Sequence, residues 1–336
     1  MDRVSTRLPI LVVGLASVLA PAVVAPAGAE TRRYYVAAEE VVWDYAPIPK
    51  ALVHGLPHGA GVPKPWAGNT RQKKVRYVEY TDDRFTTRKP QPEWLGILGP
   101  LIRAEVGDTV LVHFLNRTRG QYSMHPHGLR YTKDHEGAVY GTPGAGARVG
   151  PGGRHVYTWI ADEGSGPGPA DPSSVVWWYH SHVDEPRDVN RGLLGAIIVT
   201  ARGRAHPDAT PVDVDRELVL LFIVFNENRG KDEKNERGLM HAVNGYIFGG
   251  LSGLAMNRGE RVRWHVLGMG NEMDLHTVHW HAKTLRFRGR NTDVIELLPG
   301  SMATADMLAD NPGTWLLHCH VGDHMHAGMF AVYTIK

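Results

Sequence analysis

The chain has 336 residues, enough for two domains of ordinary size. Its 37 Lys and Arg residues nearly balance 35 Asp and Glu residues, and a net charge of +2 argues against binding to nucleic acid or to an anionic membrane. The 19 His residues beside a single Cys exclude an intrachain disulfide framework and indicate metal chemistry.

The first 29 residues have the features of a secretory signal peptide. Arg3 and Arg7 give a positively charged start, an apolar stretch follows over 8–24, and Ala27-Gly28-Ala29 matches the small-x-small pattern of a cleavage site. A proline and several small residues interrupt the apolar stretch, and no stop-transfer flank follows it, which favours export over a membrane anchor. We therefore expect an exported protein, either secreted or periplasmic.

Short apolar or alternating runs between Gly and Pro turns predict β-strands, because side chains on a strand alternate between two faces. In the first half these runs are 74–82, 109–116, 155–160, 174–180 and 195–200. In the second half they are 217–225, 261–267, 277–285, 314–320 and 330–335. Helical periodicity is scarce, so we predict an all-β protein made of two β-sandwich domains.

The stretch 201–215 contains Pro207 and Pro211 and is the predicted linker between domain 1 (30–200) and domain 2 (216–336). Both domains follow one plan: a Gly-Asp or Gly-Glu turn, a strand, a pair of histidines, and a second pair near the end. This is an internal repeat on the scale of a domain.

Four histidine pairs have the form His-x-His. The pairs are His125/His127 and His180/His182 in domain 1, and His279/His281 and His318/His320 in domain 2. Residues i and i+2 of a strand share a face, so each pair can present two imidazoles to one metal centre. One pair alone is weak evidence, but two in each domain at matching positions indicate metal binding. Eight imidazoles are too many for one metal ion and predict a polynuclear centre.

A second metal site is predicted from residues that point away from these pairs. His276 has the opposite parity to the pair that follows it, and Cys319 has the opposite parity to the two histidines beside it. Together with His324 and Met329 they form a His₂Cys set with a weak thioether ligand, which is typical of a blue copper site. The chain joins Cys319 directly to both neighbouring histidines, which gives an electron a short bonded path between the two sites.

These motifs resemble the multicopper oxidase family, in particular its ceruloplasmin-like modules, over nearly all of the mature chain. The segments that carry the resemblance are LGILGPLIRAEVGDTV, HPHG, YHSHVDEP, HAVNGYIFGGLSGL, GMGNEMDLHTVHWH and WLLHCHVGDHMHAGM. The resemblance implies a cupredoxin-like Greek-key sandwich for each domain. It also implies an enzyme that oxidises a reducing substrate one electron at a time and reduces dioxygen to water.

The resemblance assigns each ligand to a copper ion, with four copper ions per chain-equivalent. His125 and His279 would bind the type 2 copper. The binuclear type 3 pair would be bound by His127, His180, His182, His281, His318 and His320. The type 1 copper would be bound by His276, Cys319, His324 and Met329.

Domain 1 has Ser181 where a type 1 site requires cysteine, so blue copper is expected only in the C-terminal domain. In the family, the two halves of a trinuclear cluster meet between non-consecutive domains. We therefore expect a homotrimer with trinuclear sites between subunits, because three two-domain chains reproduce a six-domain ring.

The resemblance further implies an iron site beside the type 1 copper. The matching residues are Glu236, His241, Asp323 and Glu272, the last supplied by a neighbouring module. Three carboxylates and an imidazole suit a hard divalent ion, and their negative charge favours the ferric product. Ferrous iron is therefore the favoured electron donor. Each acid also has an ordinary explanation, namely a solvated charged loop, a turn cap or a structural salt bridge.

Laccase-like oxidation of phenols or aromatic amines is the alternative, because a carboxylate near the blue copper can accept a phenolic proton. Reduction of dioxygen also consumes protons, and Glu136 stands where related oxidases keep an acid near the trinuclear cluster. We predict Glu136 as a proton relay, with a surface carboxylate as the competing interpretation. Copper nitrite reductase, which needs a blue copper in the first domain, and a non-catalytic copper-binding protein are the remote alternatives.

Overall fold

The computed structural model describes residues 29–47, 69–228 and 235–336. The predicted signal peptide, apart from its last residue, and most of the charged run 231–237 lie outside this part of the chain. None of the helices formed by the described residues is long and apolar enough to cross a membrane.

The strands of the first half form a sandwich of two four-stranded sheets, ordered β2-β1-β4-β6 and β3-β8-β7-β5. They are β1 (Thr31–Asp44), β2 (Arg71–Tyr80), β3 (Ile102–Glu105), β4 (Thr109–Asn116), β5 (His125–Pro126), β6 (Arg154–Ile160), β7 (Ser174–His180) and β8 (Leu194–Thr200). One buried apolar cluster lies between the sheets, with Tyr77 and Trp159 from one sheet facing Tyr179 and Ile197 from the other.

The strands of the second half form a sandwich of six and five strands, ordered β10-β9-β12-β17-β14-β15 and β11-β19-β18-β13-β16. They are β9 (Arg216–Asn226), β10 (Leu239–Val243), β11 (Ala255–Met256), β12 (Arg261–Gly268), β13 (His276–Trp280), β14 (Leu285–Phe287), β15 (Arg290–Thr292), β16 (Val294–Leu297), β17 (Ser301–Leu308), β18 (Gly313–Cys319) and β19 (Phe330–Ile335). The short helices are α1 (Glu185–Asn190), α2 (Gly322–His326) and 3-10 turns at Glu93–Leu95, Lys133–His135, Glu163–Ser165 and Glu236–Gly238.

The all-β prediction is confirmed, and three predicted strands, at 109–116, 174–180 and 330–335, have the observed bounds. The strand predicted at 277–285 was wrong in its extent. The observed β13 ends at Trp280, and Ala282 adopts a left-handed backbone with φ 64°, which turns the chain before β14 begins. The sequence analysis also missed the long strands β1 and β17 and the shorter strands β3, β5, β10, β11, β14, β15 and β16.

Strands β8 and β9 are buried on both faces, which explains why their sequences are continuously apolar rather than alternating. Ile197 and Val199 of β8 face the core of the first sandwich, whereas Leu194, Ala196 and Ile198 face the second sandwich. There they meet alternate residues of β9, including Val219 and Leu221. A third apolar cluster therefore joins the two sandwiches.

Asn244 also joins the sandwiches. It is wholly buried and has a left-handed backbone with φ 49°, a conformation that Asn tolerates better than most residues. Its side-chain amide donates to the carbonyl oxygens of Trp94 (2.6 Å) and Val219 (2.8 Å), and its own carbonyl oxygen accepts from the Ile97 amide (3.0 Å). A segment of the first half is thereby fixed to the second.

A buried ionic network lies at the same junction. Glu217 of β9 accepts a hydrogen bond from His265 Nε2 (2.9 Å) and forms an ion pair with Arg103 of β3. Arg263 of β12 is wholly buried, bonded to Asp306 (2.7 Å) and to the Ser174 hydroxyl (2.9 Å). Because each charge has a partner, the network fixes the junction without leaving an uncompensated ion.

Candidate metal centres

The first histidine cluster lies where β5 and β7 pair in antiparallel register, with His125 opposite His180. His127 follows β5 directly, and His182 lies two residues beyond the end of β7. His127 Nε2 lies 3.1 Å from His180 Nε2, and the rings of His125 and His182 have centroids 5.1 Å apart. The structure thus brings together all four histidines that the sequence predicted for this half.

Hydrogen bonds fix which nitrogen of two of these rings can bind a metal. His125 Nδ1 donates to the Glu136 carbonyl oxygen (2.6 Å), and His180 Nδ1 donates to the Ser181 carbonyl oxygen (3.0 Å). A carbonyl oxygen only accepts, so both Nε2 atoms keep a lone pair. Burial lowers the pKa of His180 to about 3 and that of His127 to about 4, which keeps both rings neutral and able to bind a metal ion.

The second cluster has the same design, built on β13 and β18. His279 lies opposite His318, whose Nε2 is 3.2 Å from His279 Nδ1 and 3.1 Å from His281 Nε2. His318 Nδ1 donates to the Cys319 carbonyl oxygen (2.8 Å), as His180 does to the residue after it. The ring of His320 completes the set, with its centroid 5.4 Å from that of His318.

In each cluster three histidines have ligand atoms within 4.8 Å of one another, namely His125, His127 and His180 in the first and His279, His281 and His318 in the second. Neutral imidazole nitrogens that converge in this way fit a transition metal such as copper. Each of these groups draws its ligands from one sandwich only.

The third group lies behind the second cluster, inside the sandwich. Cys319 Sγ lies 3.8 Å from His276 Nδ1 and 3.7 Å from His324 Nδ1, and these two nitrogens are 3.2 Å apart. Met329 is wholly buried in the same apolar cluster as Cys319, and its carbonyl oxygen accepts from the Cys319 amide (3.0 Å). One thiol and two imidazoles converging in an apolar interior fit a blue copper ion.

Burial raises the pKa of the Cys319 thiol, which favours the protonated sulfur. A bound metal would reverse this preference, because a coordinating thiol is deprotonated. Burial also lowers the pKa of His324 to about 4, which leaves its ring neutral. The group would therefore release the thiol proton on binding a metal ion.

Asp274 was missed by the sequence analysis. It is wholly buried, and its carboxylate accepts from the amides of Val224 (2.6 Å) and Asn271 (2.8 Å) and lies 3.3 Å from His276 Nε2. A proton on His276 Nε2 satisfies the carboxylate and leaves Nδ1 free to face Cys319. The spacing Asp-x-His was the available signal, but it is too common to be informative alone.

A cavity of about 490 Å³ adjoins the third group, with His324 in its wall. Glu236, His241 and Asp323 also line it, as the sequence predicted, whereas Glu272 is exposed and is not among the lining residues. The rings of His241 and His324 have centroids 4.9 Å apart. These placements bring three predicted substrate residues to one side of the cysteine-containing group.

His241 is a buried base without a hydrogen-bond partner on either ring nitrogen among the described residues. Its Nε2 lies 3.8 Å from the Glu236 carboxylate. Burial, followed by the charges of His324 and His276, lowers the pKa of His241 to about 3. A neutral imidazole with no hydrogen-bond partner, in a cavity that two carboxylates also line, suits a cation.

Glu136 contacts the first cluster through its backbone carbonyl, which orients His125. Its carboxylate accepts from Lys133 and from the Tyr140 hydroxyl (2.6 Å). Burial alone would raise the pKa of Glu136, but these two hydrogen bonds outweigh it, and the pKa is lowered. The role of Glu136 as a proton relay stays a prediction.

Comparison with protein families finds two matches along the chain. The family described as Multicopper oxidase matches residues 93–204 and, through a second domain type of the same description, residues 215–336. The chain is similar to human hephaestin (40% identity, 91% of this chain and 29% of hephaestin) and to human ceruloplasmin (39% identity, 90% and 30%). It thus spans about three-tenths of the length of these relatives.

Solved structures of similar fold have lower sequence identity. A multicopper oxidase matches with a TM-score of 0.64 at 20% identity, over 91% of this chain and 89% of that one. Copper nitrite reductase from Nitrosomonas europaea matches with a TM-score of 0.63 at 21% identity, over 91% and 94%. The predicted fold of two cupredoxin-like sandwiches is confirmed, and at this identity the likeness speaks for fold alone.

Proposed function

Because the chain belongs to the multicopper oxidase family, we propose that it is a copper-dependent oxidase that couples one-electron oxidation of a reducing substrate to reduction of dioxygen to water. Copper is the cofactor, and when bound it supplies the redox chemistry. The observation that carries the proposal is the continuity of 318–320. Cys319 lies in the third group, while His318 lies in the second cluster.

The role of the chain in this proposal is to hold the two sites at a fixed separation. Residues 318 and 319 belong to β18, which pairs with β13 and β19 on either side, so neither site can shift relative to the other without breaking a ladder. Asp274 holds His276 from a second direction.

We further propose ferrous iron as the electron donor, bound in the cavity beside His324. The supporting contacts are those of Glu236, His241 and Asp323, because two carboxylates and a neutral imidazole are suitable ligands for a divalent cation. His324 forms part of the cavity wall, so a cation bound there would lie against an imidazole of the cysteine-containing group. Glu272 of a neighbouring subunit would be the fourth residue of this iron site.

The volume of the cavity, about 490 Å³, favours one second candidate, because it exceeds what a metal ion needs and could admit a phenol. Oxidation of phenols in the manner of a laccase would use the same wall and the same carboxylates, with Asp323 or Glu236 accepting the phenolic proton.

Oxygen uptake by the copper-loaded protein, with ferrous iron and 2,6-dimethoxyphenol as donors, distinguishes the two. We expect Glu236→Ala and Asp323→Ala each to lower kcat/KM for iron at least about 10-fold, because iron needs both carboxylates as ligands. Each should change kcat/KM for the phenol less than about 3-fold, because the remaining carboxylate can still accept the phenolic proton. Glu296→Ala, which removes an exposed acid of β16 outside the cavity, is the matched control. The iron site is excluded if iron is oxidised no faster than the uncatalysed rate, or if neither substitution changes its oxidation. The laccase assignment would then remain.

We propose that three copies of the chain assemble so that the first cluster of one subunit faces the second cluster of the next. The support is that each histidine group is drawn from one sandwich, so neither provides the eight predicted ligands by itself. Such a homotrimer would have three trinuclear sites, each shared by two subunits.

Light scattering gives the molecular mass of the assembly. Complementation between two inactive variants tests whether the trinuclear clusters form between subunits. His180→Ala breaks the first cluster and His318→Ala breaks the second, so each variant alone should be inactive. In a ring, every trimer that contains both variants has one interface with two intact halves, and co-expression should restore about a quarter of wild-type oxygen uptake. Clusters formed within one chain would give no restoration, and that result would reject the shared site.

Export is proposed on the strength of residues 1–29. The mature chain should begin at Glu30, and amino-terminal sequencing of protein recovered outside the cytoplasm tests this. Recovery of full-length chain from the cytoplasm alone would contradict it.

A further inference from the structure

A cavity of about 310 Å³ lies against β1 and β2 of the first sandwich and the segment that follows them. The side chains that line it from these strands, such as Val41 and Val78, belong to the face opposite the core residues Val36 and Tyr77. Most of the lining is apolar, from Val41, Val78, Pro90, Pro92, Leu95, Pro100 and Leu101. The copper ligands proposed above play no part in it.

Two carboxylates line the cavity, and both are neutralised by neighbours. Glu79 forms an ion pair with Lys89 at 2.6 Å. Glu39 pairs with Arg88 and also with Arg117 at 3.1 Å. Neither carboxylate therefore has an uncompensated charge that would repel an anion in the cavity.

Arg76 is the cation of the lining that lacks a counter-charge. Among the described residues no carboxylate lies within ion-pair distance of it, and its one hydrogen bond runs from Nη2 to the Leu98 carbonyl oxygen (3.2 Å). Its Nε is wholly buried and has no hydrogen-bond partner. The Trp43 ring lies 5.9 Å from Cζ and restrains the guanidinium.

An unpaired guanidinium with a buried, unsatisfied donor is costly to a folded protein. Burial lowers the pKa of Arg76, because the charged form of the guanidinium is disfavoured away from water. The group nevertheless stays charged, because arginine does not deprotonate in proteins. A carboxylate bound in the cavity would supply the missing counter-charge and would accept hydrogen bonds from the Nη groups of the guanidinium.

We propose that this cavity is a binding site for a small carboxylate with an apolar body, in which the carboxylate bonds to Arg76 and the body packs against the prolines and Leu101. Aromatic and branched aliphatic acids of low mass belong to this class. The apolar residues of the lining favour an acid with an apolar body over an inorganic anion, because only the former buries apolar surface there.

Calorimetric titration of the copper-loaded full-length protein with benzoate, and with neutral benzamide as its isostere, tests the site. Wild type should bind one benzoate per chain and bind benzamide at least about 10-fold more weakly. Arg76→Met should weaken benzoate at least about 10-fold, and Arg76→Lys should also weaken it, because lysine lacks the planar fork. Lys73→Met, which removes an exposed cation of β2 that does not line this cavity, should change benzoate affinity less than about 3-fold.

Thermal unfolding without ligand provides the second readout. Arg76→Met should melt no lower than wild type, because it replaces an unpaired charge with an apolar side chain of similar length. No benzoate binding to wild type, equal binding of benzoate and benzamide, or equal binding by Arg76→Met would overturn the proposal. A much lower melting temperature of Arg76→Met would also overturn it, by showing that the guanidinium is a structural group. The proposal is also wrong if wild type binds no benzoate and Arg76→Met changes the oligomeric mass. That result would show that the carboxylate partner of Arg76 comes from a second copy of the chain.

Discussion

The ends of β7 and β18 are equivalent places in the two sandwiches, yet they hold different chemistry. His180-Ser181-His182 corresponds to His318-Cys319-His320, and the backbone hydrogen bonds agree. The Ser181 amide donates to the Leu193 carbonyl oxygen (3.1 Å), as the Cys319 amide does to that of Met329 (3.0 Å). Leu193 thus stands at the place of the predicted thioether ligand.

The other positions of the cysteine-containing group are also replaced. Tyr122 precedes His125 by the spacing that separates His276 from His279, and its hydroxyl accepts from Arg191 (2.6 Å). Asp188 of α1 accepts from the Ser181 hydroxyl (2.7 Å), whereas in the other half His324 of α2 faces Cys319. The backbone frame is the same, and four side chains decide whether it presents metal ligands or an internal hydrogen-bond network.

The largest effect is expected from making the second half resemble the first. Cys319→Ser should abolish the blue absorption of the copper-loaded protein and lower oxygen uptake to near the uncatalysed rate, because a hydroxyl does not provide a thiolate ligand. Absorption spectra, copper analysis and oxygen uptake measure this. The second cluster should keep its copper, and retention of a blue band would contradict the assignment of Cys319.

The reverse change, Ser181→Cys, is the control for that experiment. It places a thiol among Tyr122, Asp188 and Leu193, none of which offers an imidazole. We expect no new blue band and no gain in oxidase activity. A new blue band would show that the thiol alone is decisive and that the neighbouring side chains are not.

A smaller effect, about 3 kcal/mol, is expected at the junction between the halves. Burial alone would raise the pKa of Glu217, but its hydrogen bond with His265 and the charge of Arg103 outweigh this and lower it to about 2. The folded pKa is thus below the unfolded value of about 4.3, so the carboxylate stabilises the fold above that pH, and this stabilisation is lost as the pH falls toward 2. Glu217→Gln should therefore reduce the free energy of unfolding at pH 7 by about 3 kcal/mol.

Urea unfolding of the metal-free protein at pH 7 and pH 3 provides the measurement. The difference in free energy of unfolding between wild type and Glu217→Gln should be about 2 kcal/mol smaller at the lower pH. Only wild type loses the stabilisation by the Glu217 carboxylate as the pH falls. Glu296→Gln, at an exposed position of β16, should show no such difference at either pH. If the difference in free energy of unfolding is the same at both pH values, the charge of Glu217 does not stabilise the fold.

The smallest effect concerns two buried aspartates, one in each half. Asp274→Asn should weaken copper binding at the cysteine-containing group about 10–100-fold, because the amide orients His276 less strongly than a carboxylate does. Asp188→Asn should leave that binding unchanged, since Asp188 bonds to Ser181 in the other sandwich. Competition with a copper chelator, followed at the blue band, compares them, and equal losses in both variants would indicate general destabilisation.

The histidine pairs and Cys319 could be predicted from sequence because the alternation of a strand is local. It depends only on residue parity, and the structure brings His276 of β13 and Cys319 of β18 together as that parity requires. Asp274 could not be found in this way. Its role depends on the Val224 amide, which is fifty positions away along the chain.

Strand β1 was missed for a related reason. Glu39 interrupts its apolar pattern and argues against a buried strand, yet Glu39 is only 6% exposed. It is compensated by Tyr80, Arg88 and Arg117, each distant in sequence. A buried charge is foreseeable only when its partners are known, whereas an apolar residue needs no particular partner.

The contacts of Asn244 bear on how chains of this kind are inherited. A duplication that copied one sandwich alone would leave the Ile97 amide, the Trp94 carbonyl oxygen and the apolar outer faces of β8 and β9 without partners. Copying the two sandwiches together carries the whole junction with it. A two-sandwich unit can therefore be repeated with its own junction intact, whereas a single sandwich cannot.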